Sequence, residues 1–209
     1  MLDSRARQAA LAAMDIGPGD EVIVPSFTWV ATANAVLYCN AVPVLCDVDP
    51  RTNNIDPASV AEKVTERTKA VMPVHLFGLC ADMDGLRAVL PKHVKIVEDG
   101  ACAAGASAKG TPAGALGDAG AITTDSEILA DKVKTLRNYG SKVKYYNEVQ
   151  GYNSRLDELQ AAVLGVKLLH LEAENDRRRV IDGCHDRRIC ACGRQWVRTV
   201  IGYRQVDGV

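Results

Sequence analysis

The residue with the clearest chemical potential is Asp99, an acid that directly follows an apolar segment at residues 94–98. Upstream of it, strand-like and helix-like segments alternate four times, which predicts an α/β domain with a mainly parallel sheet covered on both faces. Ligands of such sheets bind at the carboxyl ends of the strands. This position places Asp99 at the ligand edge, although an acid there could equally cap the next segment.

A second group of chemically capable residues lies near the C-terminus. Cys184, His185, Cys190 and Cys192 form a C-H-x4-C-x-C pattern. Thiolates and imidazoles are zinc ligands, but this spacing fits no closed four-ligand site. We therefore predict no metal site.

Composition restricts the classes of function. The chain has 209 residues, of which 47% are hydrophobic and 24% charged, and its net charge is −1. This balance predicts a folded domain without a nucleic-acid or membrane-surface footprint. No apolar run approaches the roughly 20 residues of a membrane span, and the N-terminus lacks a signal-peptide pattern. We expect a cytoplasmic protein in which Cys39, Cys46 and Cys80 are buried and reduced.

Hydrophobic periodicity and capping signals predict the elements that must position Asp99. Strands are predicted at residues 21–24, 42–48, 69–74 and 94–98, and helices at 4–15, 28–39, 56–64, 82–90, 126–137 and from Ser154 to near Asn175. From Leu171 onward there are 8 Arg and no Lys. We therefore divide the chain into a domain at residues 1–175 and an atypical Arg- and Cys-rich tail at 176–209. We expect that tail to be poorly ordered, and hypothesise an out-of-frame or recombined end.

Five stretches occur in an order that matches a known family. The most specific is PSFTWVATANAV at residues 25–36, and the others lie at residues 15–22, 73–78, 97–99 and 151–162. Together they resemble the DegT/StrS-type family of pyridoxal-phosphate-dependent sugar aminotransferases. The resemblance implies an incomplete three-layer α/β large domain of a fold-type I transferase. It also implies transfer of an amino group, usually from glutamate, to a keto-sugar nucleotide in polysaccharide or antibiotic-sugar biosynthesis.

The resemblance also implies roles for individual residues. Asp99 would pair with the pyridine nitrogen of the cofactor, and Trp29 would stack on the ring, unless Trp29 is an ordinary core residue. Cys102 stands where the family usually has a glutamine that contacts the phenolic oxygen. Asn153 would reach the cofactor phosphate of the other subunit of a dimer, unless it is a simple turn residue. Arg155 would meet an anionic group of the substrate.

The family's Schiff-base lysine is absent from its usual place. Residues 114–124 read GALGDAGAITT, and the glycine-rich repetition suggests an internal deletion that removed the lysine loop. Lys109, Lys132 and Lys134 do not follow a strand and a glycine loop, so we predict that no lysine lies near Asp99. No residue is therefore predicted to be catalytic, and any pyridoxal phosphate would be bound non-covalently.

Three functional readings remain open. The chain could be a weakly active or inactive aminotransferase that forms a homodimer. It could be a catalytically dead partner or scaffold that pairs with an intact homologue and lends it Asn153. It could also be a non-functional gene remnant. This hypothesis agrees with our expectation that the family's small C-terminal domain is missing after the long helix.

Overall fold

The protein is described by a computed structural model that covers residues 3–103, 107–108, 111–112, 122–143, 146–156 and 158–191. Within it, the contacts between residues group the chain into two units, residues 1–155 and residues 156–209. The predicted boundary at residue 175 stays a prediction.

A four-stranded parallel sheet forms the centre of the first unit, as the sequence predicted. Its strands are β1 (Glu21–Pro25), β2 (Val42–Cys46), β3 (Thr68–Val71) and β4 (Lys95–Ile96). Their spatial order is β2-β1-β3-β4, and all three neighbouring pairs are parallel. The carboxyl ends of all four strands therefore meet at one edge of the sheet.

Helices cover both faces of this sheet. They are α1 (Asp3–Ala13), α2 (Ala31–Leu37), α3 (Pro57–Lys63) and α4 (Met83–Val89). Because successive strand residues point to opposite faces, Val22 and Val24 join one core cluster with Leu11 of α1. Ile23, which lies between those two valines, joins a second cluster with Leu86 of α4. This alternation gives the three-layer arrangement that the resemblance implied.

Side-chain caps set the starts of three helices. Asp56 accepts a hydrogen bond from the Ala58 amide at 2.9 Å, and Asp82 accepts one from the Gly85 amide at 2.9 Å. Ser126 caps α5 (Glu127–Leu136). The predicted starts of these three helices are confirmed, because each short polar side chain satisfies an amide that the helix leaves unpaired.

Two small antiparallel pairs complete the first unit. The first joins β5 (Ser107–Ala108) to β6 (Thr111–Pro112), and the second joins β7 (Ser141–Val143) to β8 (Tyr146–Asn147). Gly140, just before β7, has φ +74°, and a Cβ there would overlap the Val149 carbonyl oxygen. Only glycine fits this close approach without strain.

In the second unit, the described residues form two helices, α6 (Glu158–Leu168) and α7 (Leu171–Ala191). The single helix predicted from Ser154 to near Asn175 is therefore wrong at its start, at its end and in its continuity. α7 continues past Asn175 because Arg178 and Arg179 pair with Glu174 and Asp176, at i,i+4 and i,i+3 spacing, without any apolar period. The part of the predicted tail from 192 to 209, with Cys192, lies outside the described residues.

Candidate cofactor site

Asp99 lies at the carboxyl edge of the sheet, as predicted from its position after the apolar segment. Its backbone pairs in parallel with Val74, beyond the ends of β3 and β4. The Asp99 amide donates to the Pro73 carbonyl at 2.8 Å, and the His75 amide donates to the Asp99 carbonyl at 2.9 Å. The parallel backbone pairing thus continues to Asp99 and fixes the position of its Cα atom.

The carboxylate of Asp99 is buried and surrounded by donors. Asp99 is 4% exposed. Its Oδ2 atom lies 2.5 Å from a guanidinium nitrogen of Arg7 and accepts a hydrogen bond from the Thr32 hydroxyl at 3.0 Å. Its Oδ1 atom accepts one from the Ala101 amide at 3.2 Å. A buried charge needs such partners, so Arg7 and Asp99 form a buried ion pair at the ligand edge.

Sequence reasoning missed Arg7 and Thr32 as members of this site. A signal for Arg7 was present, because it lies four residues before Leu11, which is fully buried. Residues four apart share one face of a helix, so Arg7 lies on the inward face of α1. Thr32 lies within the motif that carried the resemblance, but it was not singled out.

Trp29 is 77% exposed, and this excludes the reading of an ordinary core tryptophan. It lies two residues before the start of α2, and its carbonyl accepts a hydrogen bond from the Thr32 amide at 3.1 Å. The residue that carries the indole is therefore three positions from a direct partner of Asp99. An exposed aromatic face at this edge is suited to stacking on a flat ligand.

The cysteines divide by environment. Cys102 is exposed, in a turn where the Ala103 amide donates to the Gly100 carbonyl at 2.8 Å. Cys39 and Cys46 are buried as expected, and burial raises the pKa of the Cys46 thiol to about 12. Cys80 is partly exposed, so the expectation that it is buried was wrong.

Asn153 and Arg155 lie on the segment that packs against the end of α5. The Asn153 carbonyl accepts a hydrogen bond from a guanidinium nitrogen of Arg5 on α1 at 2.8 Å, and the residue is exposed. The Arg155 guanidinium lies 5.3 Å from the centre of the Tyr139 ring, within cation–π range. Arg155 also lines a cavity of about 470 Å³ with three other cationic residues. These are Lys134, Arg137 and Lys142. The lining also includes the carboxylate of Asp131, which pairs with Lys134 at 3.3 Å. The excess of positive charge in the lining favours an anionic group.

His75 and Glu98 form a second polar pair beside Asp99. The Nδ1 atom of His75 accepts a hydrogen bond from the Ala81 amide at 3.1 Å, so the ring proton lies on Nε2. Nε2 is 2.9 Å from a Glu98 carboxylate oxygen, and this hydrogen bond lowers the pKa of Glu98. His75 thus ties together two segments next to the site.

The described lysines near the predicted loop have carboxylate partners. Lys132 pairs with Asp15 at 2.6 Å, and Lys134 pairs with Asp131 at 3.3 Å. Lys109 and residues 113–121 lie outside the described residues. The absence of a lysine near Asp99, and the deletion in this segment, therefore stay predictions.

The described part of the chain contains neither a membrane-spanning helix nor a cluster of metal ligands. None of its helices has the length and apolar character needed to cross a membrane. Within the same residues, no three or more His, Cys, Asp or Glu side chains come together as a metal site. The side chains of Cys184, His185, Cys190 and Cys192 do not belong to that description.

Comparison with known proteins identifies the class to which this fold and site belong. The chain resembles the crystal structure of S. venezuelae DesV in complex with a ketimine intermediate, with TM-score 0.78 and 42% identity. The match covers 85% of this chain and 53% of that one. The fold is that of the fold-type I pyridoxal-phosphate aminotransferases, of which this chain contains a part.

Residues 4–201 match the DegT/DnrJ/EryC1/StrS aminotransferase family, and the chain belongs to this family. It is 47% identical over 194 residues to a pleiotropic regulatory protein of Geobacillus stearothermophilus, covering 84% of this chain and 52% of that protein. It is 44% identical over 216 residues to a UDP-N-acetyl-3-dehydro-alpha-D-glucosamine 3-aminotransferase of Acidithiobacillus ferrooxidans, covering 94% and 58%. The chain thus spans about half the length of the curated relatives it matches.

Pyridoxal phosphate is the cofactor indicated by this family, as the resemblance implied. The residues present fit it in two respects, since Asp99 supplies a buried carboxylate and Trp29 an exposed aromatic face at the same edge. They depart from a simple fit in a third respect. Arg7 already occupies the Oδ2 atom of the carboxylate that would meet the ring nitrogen.

Proposed function

We propose that this chain is the cofactor-binding α/β domain of an aminotransferase that acts on a keto-sugar nucleotide. We propose further that it binds pyridoxal phosphate non-covalently and transfers amino groups weakly or not at all. The observation that carries this proposal is the buried carboxylate of Asp99 at the carboxyl edge of a parallel sheet. Its hydrogen-bond partner Thr32 lies three residues after the exposed Trp29 in the sequence. The family membership supports the reaction class.

The chain's own residues would divide the work at this edge. When bound, pyridoxal phosphate supplies an electron sink for the reacting carbon. Asp99 would hold a proton on the ring nitrogen, because a carboxylate nearby favours the charged form of a base. Trp29 would fix the tilt of the ring, and Arg155 with its cationic neighbours would hold an anionic group of the substrate.

Weak or absent activity follows from the missing lysine, because that residue would both anchor the cofactor and move the proton. The lengths of the matched stretches support an internal deletion. The match to the Acidithiobacillus ferrooxidans relative extends over 216 residues, more than the 209 of this chain, although 94% of the chain takes part. The relative therefore carries residues with no counterpart here. The glycine-rich repetition at residues 114–124 is our reason for placing the deletion there.

The second candidate function is that of a partner or scaffold for an intact homologue. It is favoured by three exposed apolar residues on α6, Leu159, Val163 and Val166, which are 81%, 60% and 62% exposed. Their spacing puts them on one face of the helix, and a second chain would remove that face from water. In either a homodimer or a mixed dimer, Asn153 would reach the cofactor phosphate of the neighbouring subunit.

A binding titration tests the proposal. Purified chain is titrated with pyridoxal phosphate by equilibrium dialysis, alongside Asp99→Asn and the exposed surface variant Arg87→Met. We expect saturable binding that Asp99→Asn weakens at least about tenfold, since a neighbouring charge shifts a pKa by about 1–3 units. Arg87→Met should bind as the parent does. Equal binding by all three proteins would refute a site at Asp99.

An activity assay separates the two candidate functions. The chain is supplied with glutamate and a keto-sugar nucleotide, first alone and then mixed with an intact homologue. Turnover alone at the rate of the homologue would contradict the inactive assignment. A change in the homologue's rate upon mixing would favour the partner function.

A further inference from the structure

We propose that Arg7 is a competing counter-ion for Asp99, so that the cofactor ring nitrogen gains the Oδ2 atom of the carboxylate only when the Arg7–Asp99 ion pair opens. This inference rests on the proposed function, because it concerns pyridoxal phosphate at the same site. It adds a residue of α1 that controls how readily the site accepts its cofactor.

The hydrogen-bond geometry of Asp99 is the first support. Oδ2 already receives Arg7 at 2.5 Å and the Thr32 hydroxyl at 3.0 Å. Oδ1 already receives the Ala101 amide at 3.2 Å. A carboxylate accepts about four hydrogen bonds, about two at each oxygen, so Oδ2 is fully occupied and Oδ1 keeps one place. A ring N–H that approaches Oδ2 would therefore have to displace a donor, and the charged donor there is Arg7.

Charge is the second support. The guanidinium of Arg7 is a cation in direct contact with the carboxylate of Asp99, so it compensates that charge while the pair is closed. The Arg7 and Asp99 side chains are 7% and 3% exposed, so water screens this attraction little. A protonated pyridine beside the closed pair would be a second cation sharing one carboxylate. Arg7 therefore disfavours both binding of the ring and protonation of its nitrogen.

The position of Arg7 in the fold is the third support. It lies on α1 one helical turn before Leu11, which is fully buried in the core cluster that also contains Val22 and Val24. The backbone that carries the guanidinium is thus anchored in the core. Opening the pair requires a movement of the Arg7 side chain rather than a shift of a loose segment.

The test compares Arg7→Met with the parent and with Arg87→Met, which removes an exposed arginine of α4 that pairs with Asp84 at 3.6 Å. Each protein is titrated with pyridoxal phosphate and with an analogue whose ring nitrogen is replaced by C–H. We expect Arg7→Met to bind pyridoxal phosphate about tenfold or more tightly than the parent does, following the 1–3 units by which a neighbouring charge shifts a pKa. Its affinity for the nitrogen-free analogue should rise less, and Arg87→Met should change neither affinity.

The outcomes distinguish this inference from the proposed function. If Asp99→Asn weakens binding of the parent but Arg7→Met binds no more tightly, the counter-ion role is wrong and the cofactor site stands. If neither the parent nor any variant binds pyridoxal phosphate, both the counter-ion role and the proposed cofactor site are wrong. An equal gain for both ligands would also overturn the counter-ion role, since it would show that Arg7 merely occupies space.

A measurement on the parent protein keeps the test decisive if Arg7→Met does not fold. The side-chain Nε–H resonance of Arg7 is followed by NMR while pyridoxal phosphate is added. We expect it to shift in step with binding as the ion pair opens. Saturation of the site with an unchanged Arg7 resonance would overturn the inference.

Discussion

The Arg7–Asp99 ion pair predicts a large and strongly coupled effect on stability, independent of any cofactor. Asp99→Asn keeps the shape of the side chain and an acceptor for the Thr32 hydroxyl, but leaves the Arg7 guanidinium buried without its carboxylate. Breaking a buried ion pair from one side costs about 3–5 kcal/mol. Arg7→Met leaves the reverse defect, a buried carboxylate without its cation, and we expect a loss of similar size.

The double variant should recover most of that loss. With both charges removed, neither is left uncompensated, and replacement of a whole buried pair is often neutral. We therefore expect a coupling free energy of about 2 kcal/mol or more, well above the few tenths that independent sites show.

Urea unfolding of the parent, both single variants and the double variant measures this coupling. With a dependence of about 2 kcal/mol per molar urea, a loss of about 3–5 kcal/mol should lower the midpoint of each single variant by about 1.5–2.5 M. The Arg87→Met variant should stay within about 0.3 M of the parent, because exposed ion pairs contribute little. Additive effects of the two single variants would refute the reasoning.

Three further predictions concern other residues. Trp29→Ala should change the free energy of unfolding by less than about 0.5 kcal/mol because the side chain is 77% exposed, yet weaken pyridoxal phosphate binding about 2- to 10-fold in a dialysis titration; a large loss of stability would contradict this. Gly140→Ala should lower the free energy of unfolding by about 2 kcal/mol or more, because a Cβ would overlap a backbone carbonyl and φ is +74°. The control Gly165→Ala, with nothing within 4 Å of the new Cβ, should not destabilise the protein. The pKa of Glu98 is lowered from 4.5, so its contribution to stability is present above that pH and lost as the pH falls through the folded-state pKa; acid unfolding curves of the parent and Glu98→Gln should therefore converge below about pH 4.5, and a constant gap would count against the hydrogen bond.

Local patterns predicted the layers of the fold and the position of Asp99 at the carboxyl edge of the sheet. Apolar runs gave the four parallel strands because a strand covered on both faces must be apolar throughout. Asp56 marked a helix start because its carboxylate satisfies a free amide two residues later. The same strand pattern placed Asp99 at the ligand edge, since a charged side chain is tolerated at the end of a buried strand but not within it.

Features that depend on packing over long distances escaped prediction. Arg7 and Asp99 are 92 residues apart, and only the meeting of α1 with the sheet brings them together. The exposure of Trp29 likewise depends on which residues cover the start of α2, and a helix-start motif does not predict these contacts. The prediction ended this helix near Asn175, whereas α7 continues to Ala191. Its charged pairs stabilise a helix without the apolar period from which helices are predicted.

We propose that this chain is a pyridoxal-phosphate domain that keeps the carboxylate for the ring nitrogen and lacks a lysine to hold the cofactor. The most direct test is to saturate the chain with pyridoxal phosphate, reduce it with borohydride, and locate any adduct by peptide mass spectrometry. We expect saturable binding that dialysis reverses, with no stoichiometric adduct on a single lysine. A stoichiometric adduct on one lysine, accompanied by transaminase turnover, would contradict it.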